Sequence, residues 1–204
     1  VGEPETGAPP PAAPEPAREA LSLDIDRQEE YTRFLPLVKW LLIIPHLFVL
    51  VFVAIGAAFV GLFSFFAVIV TGRFPRGAFD FILGFYRWSL RVNAYSLLMT
   101  DAYPPFSLQD DPAYPARLGL DYPESVERWR PLVAWLLIIP YAILTHLLNV
   151  VAAFITLIAF FAILFTKRYP EGLFEIVLIT ARWNARTIAY AHFALTKYPE
   201  FAWK

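Results

Sequence analysis

Two long stretches without a charge dominate the chain. From Trp40 to Val70, 31 consecutive residues lack Asp, Glu, Lys and Arg, and from Pro131 to Phe165, 35 do. A bilayer span takes about 20 apolar residues, and soluble domains seldom carry uncharged runs much longer than that. Both blocks therefore predict membrane helices. A helix of 31 residues would be roughly 46 Å long against a hydrocarbon core of about 30 Å, so each block must tilt, break or fold back. Pro45 and Pro140 stand early in the blocks, where proline removes a donor and clashes with the preceding turn. They divide each block into an approach segment, Arg33–Ile44 and Arg128–Ile139, and a spanning helix, His46–Val70 and Tyr141–Phe165.

A second helix follows each block, and its pattern is different. Taking about 100° per residue, Asp80, Gly84, Arg87, Arg91 and Leu98 share one face of a helix from about Phe79 to Leu98. Glu175, Ile179, Arg182, Arg186 and Phe193 share the same face further on. Unpaired arginine at mid-bilayer costs about 2.5–3.5 kcal/mol on insertion scales, so bare exposure to lipid is excluded. Two arrangements satisfy that condition. In one, the helix spans and turns its arginines inward, toward Asp80, Glu175 or lipid phosphate. In the other, it lies at the interface with the arginines at headgroup depth, and the long block is re-entrant. No turn signal marks an apex near Ala57 or Ala152, which favours four spans.

The similarity of the two halves is an internal duplication. Positions 31–106 and 126–201 align without a gap at an offset of 95, with 31 identities in 76 positions. The repeat departs from itself at Lys39 against Ala134, His46 against Tyr141, Gly84 against Ile179 and Asp101 against Thr196. Short alternating segments precede each block, Leu21–Asp26 and Arg117–Tyr122, and read as strands; Tyr103–Leu108 is a third candidate. The layout is a proline-rich acidic tail over 1–20, one repeat over 21–108, a linker over 109–115 and a second repeat over 116–204. The fold class is all-α integral membrane, with two parallel tandem repeats of two membrane helices each and short β segments flanking the membrane. Arg18, Arg27, Arg33, Arg117, Arg128, Arg130, Lys197 and Lys204 lie on the side of the termini and Arg73, Arg76, Lys167 and Arg168 opposite. This balance places both termini in the cytoplasm.

Composition narrows the chemistry. The chain is 58% hydrophobic and 17% charged, with a net charge of −1, so no basic field exists to hold nucleic acid. Cysteine is absent, which removes disulfides, thiolate nucleophiles and Cys-ligated metals. His46, His146 and His192 show no ligand spacing, so no metal and no cofactor is expected. His146 and Asn149, three apart, read instead as an interhelical polar contact. No G-x-S-x-G, H-E-x-x-H, P-loop or dinucleotide pattern occurs, so no catalytic residue is nominated.

The ordered motifs R-x-x-P-L-V-x-W-L-L-I-I-P, T-x-R-[FY]-P-x-G-x-F, R-W-x-x-R-x-x-A-Y and Y-P-x-F occur in both halves. This pattern resembles the bacterial membrane family labelled domain of unknown function 4389, over roughly 23–108 and 116–204. The resemblance implies a small module of the bacterial inner membrane and no established activity. Candidate functional residues come from the residue pattern. Arg87, Arg91, Arg182 and Arg186 offer guanidinium forks to an anionic headgroup or ligand, or serve assembly by pairing with Asp80 and Glu175. Trp40, Trp135, Trp88, Trp183, Arg73 and Arg168 read as interfacial anchors. The expected function is a non-enzymatic scaffold or accessory subunit of a larger membrane assembly, with membrane lipids and other subunits or copies of itself as partners. The alternative is lipid or small-anion handling by the paired arginine faces.

Overall fold

The computed structural model describes residues 20–201, so the expected acidic tail lies outside the described residues apart from its last position. The chain runs β1 (Leu21–Ile25), α1 (Pro36–Leu42), α2 (Ile44–Thr71), α3 (Arg76–Ser96), β2 (Ala116–Leu120), α4 (Arg130–Leu137), α5 (Ile139–Thr166) and α6 (Glu171–Ala191). The uncharged blocks break where the prolines direct. Pro45 and Pro140 occupy the first turns of α2 and α5, where the missing N–H costs no helical hydrogen bond. Gly72 ends α2 with φ 71°, the left-handed cap that glycine adopts without steric penalty. Lys167 takes the same conformation at the end of α5, with φ 58°.

The long block and its following helix form a hairpin in each repeat, α2 against α3 and α5 against α6. Among the described residues, only Pro36–Thr71 and Ile139–Thr166 are long and apolar enough to cross a membrane. The expectation of four membrane helices is corrected to two candidates. The physical reason is on α3 and α6 themselves, which carry Arg76, Asp80, Arg87 and Arg91 and Glu171, Glu175, Arg182 and Arg186.

The strands explain how the repeats are joined. β1 and β2 pair antiparallel, with Leu23 opposite Leu118, Leu21 opposite Leu120 and Ile25 opposite Ala116. Leu23 and Leu118 are 95 positions apart, so the register is symmetric about that pair and marks a pseudo-dyad between the repeats. The third expected strand, Tyr103–Leu108, is irregular, since Pro104 and Pro105 lack the donors a ladder needs. Two further hydrogen bonds obey the same dyad: Tyr31 N–H donates to Lys167 O at 2.8 Å and Val126 N–H donates to Gly72 O at 2.9 Å. The entry to α1 therefore docks on the end of α5, and the entry to α4 on the end of α2. Pro36, Lys39 and Ile43 line one cleft with Thr156, Leu157 and Phe160, and Phe65 meets Phe193 beyond α6. α2 and α5 consequently run antiparallel, not parallel as the tandem arrangement predicts.

Three layers result, with α2 and α5 outermost, α3 and α6 in the middle, and the sheet on the far side of α3 and α6. The loop after α3 closes tightly over that helix. A Cβ on Gly84 would lie 2.7 Å from Leu108 O and 2.9 Å from Leu108 Cβ, a clash with backbone that no rotamer relieves. Gly84→Ala should therefore lower stability by about 1–3 kcal/mol, read as a fall in thermal midpoint in detergent. Gly77→Ala, where nothing lies within 4 Å, should leave the midpoint unmoved.

Candidate functional site

Two of the four arginines, Arg87 and Arg182, reach the sheet between the repeats, and their partners cross over. Arg87 of the first repeat donates from Nε to Leu118 O at 3.0 Å and lies 3.5 Å from Asp110. Arg182 of the second repeat donates from Nε to Leu23 O at 2.9 Å and pairs with Asp24 at 2.8 Å. Each guanidinium thus holds the central residue of the strand that packs on its helix. For Arg182 that strand belongs to the other repeat in sequence, and for Arg87 it precedes the other repeat's helices. Arg91, 2% exposed, donates to Gln109 O. Arg186 is buried beside Tyr141.

The expected acidic partners lie elsewhere. Asp80 is exposed and 3.8 Å from Arg76, and Glu175 is exposed with no ion pair among the described residues. The carboxylates that do meet the arginines, Asp24 and Asp110, stand in β1 and in the segment between the repeats. Trp88 and Trp183 are 4% exposed and belong to the core. Trp40 and Trp135 are 65% and 62% exposed, and Arg73 and Arg168 are exposed at the helix turns. Those four can act as anchors. The polar contact of Asn149 is with Asn184, in a reciprocal amide pair of 3.0 and 2.9 Å, while His146 is exposed.

A second cationic contact was not legible as a site. Lys39, 1% exposed, pairs with Asp101 at 2.9 Å, donates to Thr100 O at 2.7 Å and lies 4.7 Å from the Tyr95 ring centre. The equivalent of Lys39 is Ala134, yet the function survives. Arg130, one turn earlier in the helix, donates to Leu195 O at 2.7 Å and to Thr196 O, over the Tyr190 ring. Leu195 is the equivalent of Thr100, so the two repeats tie the same carbonyl with different cations.

An aromatic cluster also repeats. His46 stacks on Phe106 at 3.8 Å and accepts at Nδ1 from Trp88 Nε1–H at 3.1 Å. At the equivalent place Tyr141 stacks on Trp183 at 4.5 Å and meets Phe201 at 5.3 Å. These clusters close the hairpins against the segments that follow α3 and α6. Between α3 and α6, under Leu23 and Leu118, lies a cavity of about 110 Å³ bordered by Tyr86, Ser89, Asn93 and Asn184. Its lining is mainly aliphatic and holds no charged side chain. Among the described residues no group of three or more His, Asp or Glu could hold a metal ion.

Outside the helices, two groups have shifted acidities. Burial pushes the Tyr31 phenol up to about 12, so it stays protonated and donates to Met99 O at 3.0 Å. The Arg117 fork, at 2.6 and 2.7 Å, holds the Asp26 carboxyl below the usual carboxylate range. A depressed carboxylate stabilises the fold above its ordinary value of 3.8 and loses that contribution as pH falls through its folded value. The pair is largely exposed, so screening limits it to about 0.5 kcal/mol. The gap in thermal midpoint between the parent and Asp26→Asn should therefore shrink as pH falls from about 6 to about 3.

These features define a two-repeat, mostly helical protein with two candidate membrane helices and an interface of crossed strands and buried cations. Its motifs match the model described as Domain of unknown function (DUF4389) over residues 36–107 and again over 128–202. The chain belongs to that family and carries it twice. No curated protein and no solved structure matches the chain.

Proposed function

We propose that the chain is a non-enzymatic integral membrane protein of the bacterial cytoplasmic membrane, acting as a scaffold or accessory subunit. The observation that carries this reading is where the apolar surface lies. Among the described residues, large exposed apolar side chains are confined to α1, α2, α4, α5, the residues leading into α1 and α4, and positions 103–106 and 198–201. Phe48, Phe52, Phe59, Phe63 and Phe66 line α2, and Phe154, Phe161 and Phe165 line α5, all at least 50% exposed. The long helices are 11% and 22% buried over their most apolar windows, whereas the core helix of a soluble protein is mostly covered. An apolar face of this extent marks a membrane or subunit contact.

The arginines support a structural role. Arg87, Arg91 and Arg182 direct their donors to carbonyls and carboxylates of the same chain, which favours assembly over headgroup capture. Membrane lipids and other subunits or further copies of the chain are the partners that the apolar face suits. Native mass of a gently solubilised sample, with cross-linking in the intact membrane, tests this. Species heavier than one chain are expected, and a lone monomer without any cross-linked partner would overturn the assembly role.

A further inference from the structure

We infer that α2 and α5 lie flat within one leaflet, parallel to the membrane plane, with the pseudo-dyad along the membrane normal and the sheet facing water. This rests on the membrane reading above and specifies what covers the apolar face: the hydrocarbon of a single leaflet.

The two long helices take antiparallel courses, each starting beside the end of the other. If they crossed the bilayer side by side, the dyad relating them would lie in the membrane plane. That dyad passes through the Leu23–Leu118 pair, so the sheet would stand at mid-depth. Its outward residues include Asp24, Asp26 and Arg117, and Arg87 and Arg182 grip it from near the middle of α3 and α6. Lipid-facing sheet edges and ionised pairs at that depth are not tolerated. Turning the molecule so that the dyad is vertical removes the conflict in one step. The helices that carry the exposed apolar residues then form the layer opposite the charged sheet.

Two further observations fit the flat placement. No side chain of α3, α6, β1 or β2 is among the exposed large apolar residues, although a belt around a crossing protein would have to include them. A helix of 28 residues is about 42 Å long, beyond a hydrocarbon core of about 30 Å, but lying in plane sets no such limit. The exposed Arg33, Arg73, Arg128 and Arg168 at the helix ends then meet headgroups of the same leaflet.

The chain has no cysteine, so sidedness can be counted one molecule at a time. Gly77 and Gly172 are exposed positions in the first turns of α3 and α6, where nothing lies within 4 Å of an added Cβ, and Glu124 is exposed before α4. Two double variants, Gly77→Cys with Gly172→Cys and Gly77→Cys with Glu124→Cys, are placed in sealed vesicles and treated with an impermeant maleimide. Mass spectrometry then counts labels on each chain, and detergent opening should make all sites react. The flat placement predicts two labels or none on every molecule of both variants, whatever the mixture of orientations. Single labels in the first variant would mean that the long helices cross antiparallel, and single labels in the second would mean parallel crossing repeats; either result overturns the inference. Release of the parent chain by alkaline carbonate as a soluble species, including an oligomer whose apolar faces cover one another, would instead defeat the membrane reading itself.

Discussion

Asp101→Ala is expected to lower stability by roughly 3–5 kcal/mol, because it leaves the Lys39 ammonium buried without its counter-charge. Lys39 is 1% exposed and, among the described residues, has only the Thr100 carbonyl and the Tyr95 face besides Asp101. Asp101 also accepts from Thr32 N–H at 2.6 Å, so its loss frees the entry to α1 as well. Thermal unfolding in detergent should show the largest fall of any single substitution named here. The second repeat supplies the control. Arg130 ties the equivalent carbonyl from one turn earlier, and its counterpart position in the first repeat is Leu35. Lys39→Ala combined with Leu35→Arg should therefore recover much of the stability lost in Lys39→Ala alone. No recovery would show that the two cations are not interchangeable ties.

Arg87→Ala with Arg182→Ala is expected to release the sheet from both middle-layer helices. A hydrogen bond involving a charged group contributes about 1.5–3 kcal/mol, so the pair should cost on the order of 3–6 kcal/mol. The two sites share one sheet, and the double variant should fall short of the sum of the single ones. Limited proteolysis between residues 26 and 35 and between 121 and 129 should rise together with the fall in midpoint. Bound anionic lipid per folded chain should stay constant, because these guanidinium groups are already engaged by Leu118, Asp110, Leu23 and Asp24. Loss of lipid with an unchanged midpoint would reverse the assignment and make the arginines a headgroup site.

Much of the framework is written in local sequence. The offset of 95, the breaks ahead of Pro45 and Pro140, the second helix of each repeat and the positions of both strands all follow from periodicity and proline chemistry. Their neighbours in sequence decide them. The way the repeats engage is a different matter. Arg182 finds Leu23 across 159 positions, and its partner is a backbone carbonyl, which every residue possesses. No residue type at either end announces such a bond. Pairing Arg87 and Arg182 with Asp80 and Glu175 is the natural reading from helical spacing, but those carboxylates stand about two turns earlier on the same helices, roughly 10 Å away along the axis.

One signal was present and weakly expressed. Lys39 and Asp101 are both replaced in the second repeat, by Ala134 and Thr196, as expected when two ends of one ion pair change together. Arg130 against Leu35 is the third part of that exchange. Trp88 and Trp183 illustrate the opposite difficulty. In an apolar chain a tryptophan suits the interface and the core equally, and it takes the edge contact of Trp88 with His46 and the stack of Trp183 on Tyr141 to show that these two are inside.

An apolar face on α2 and α5 that belongs in lipid should carry the whole chain onto membranes. Co-flotation of the full chain with liposomes through a density gradient at high salt tests it most directly. The protein should rise with the vesicles and stay with them through an alkaline wash. Recovery at the bottom of the gradient as a water-soluble species would contradict it.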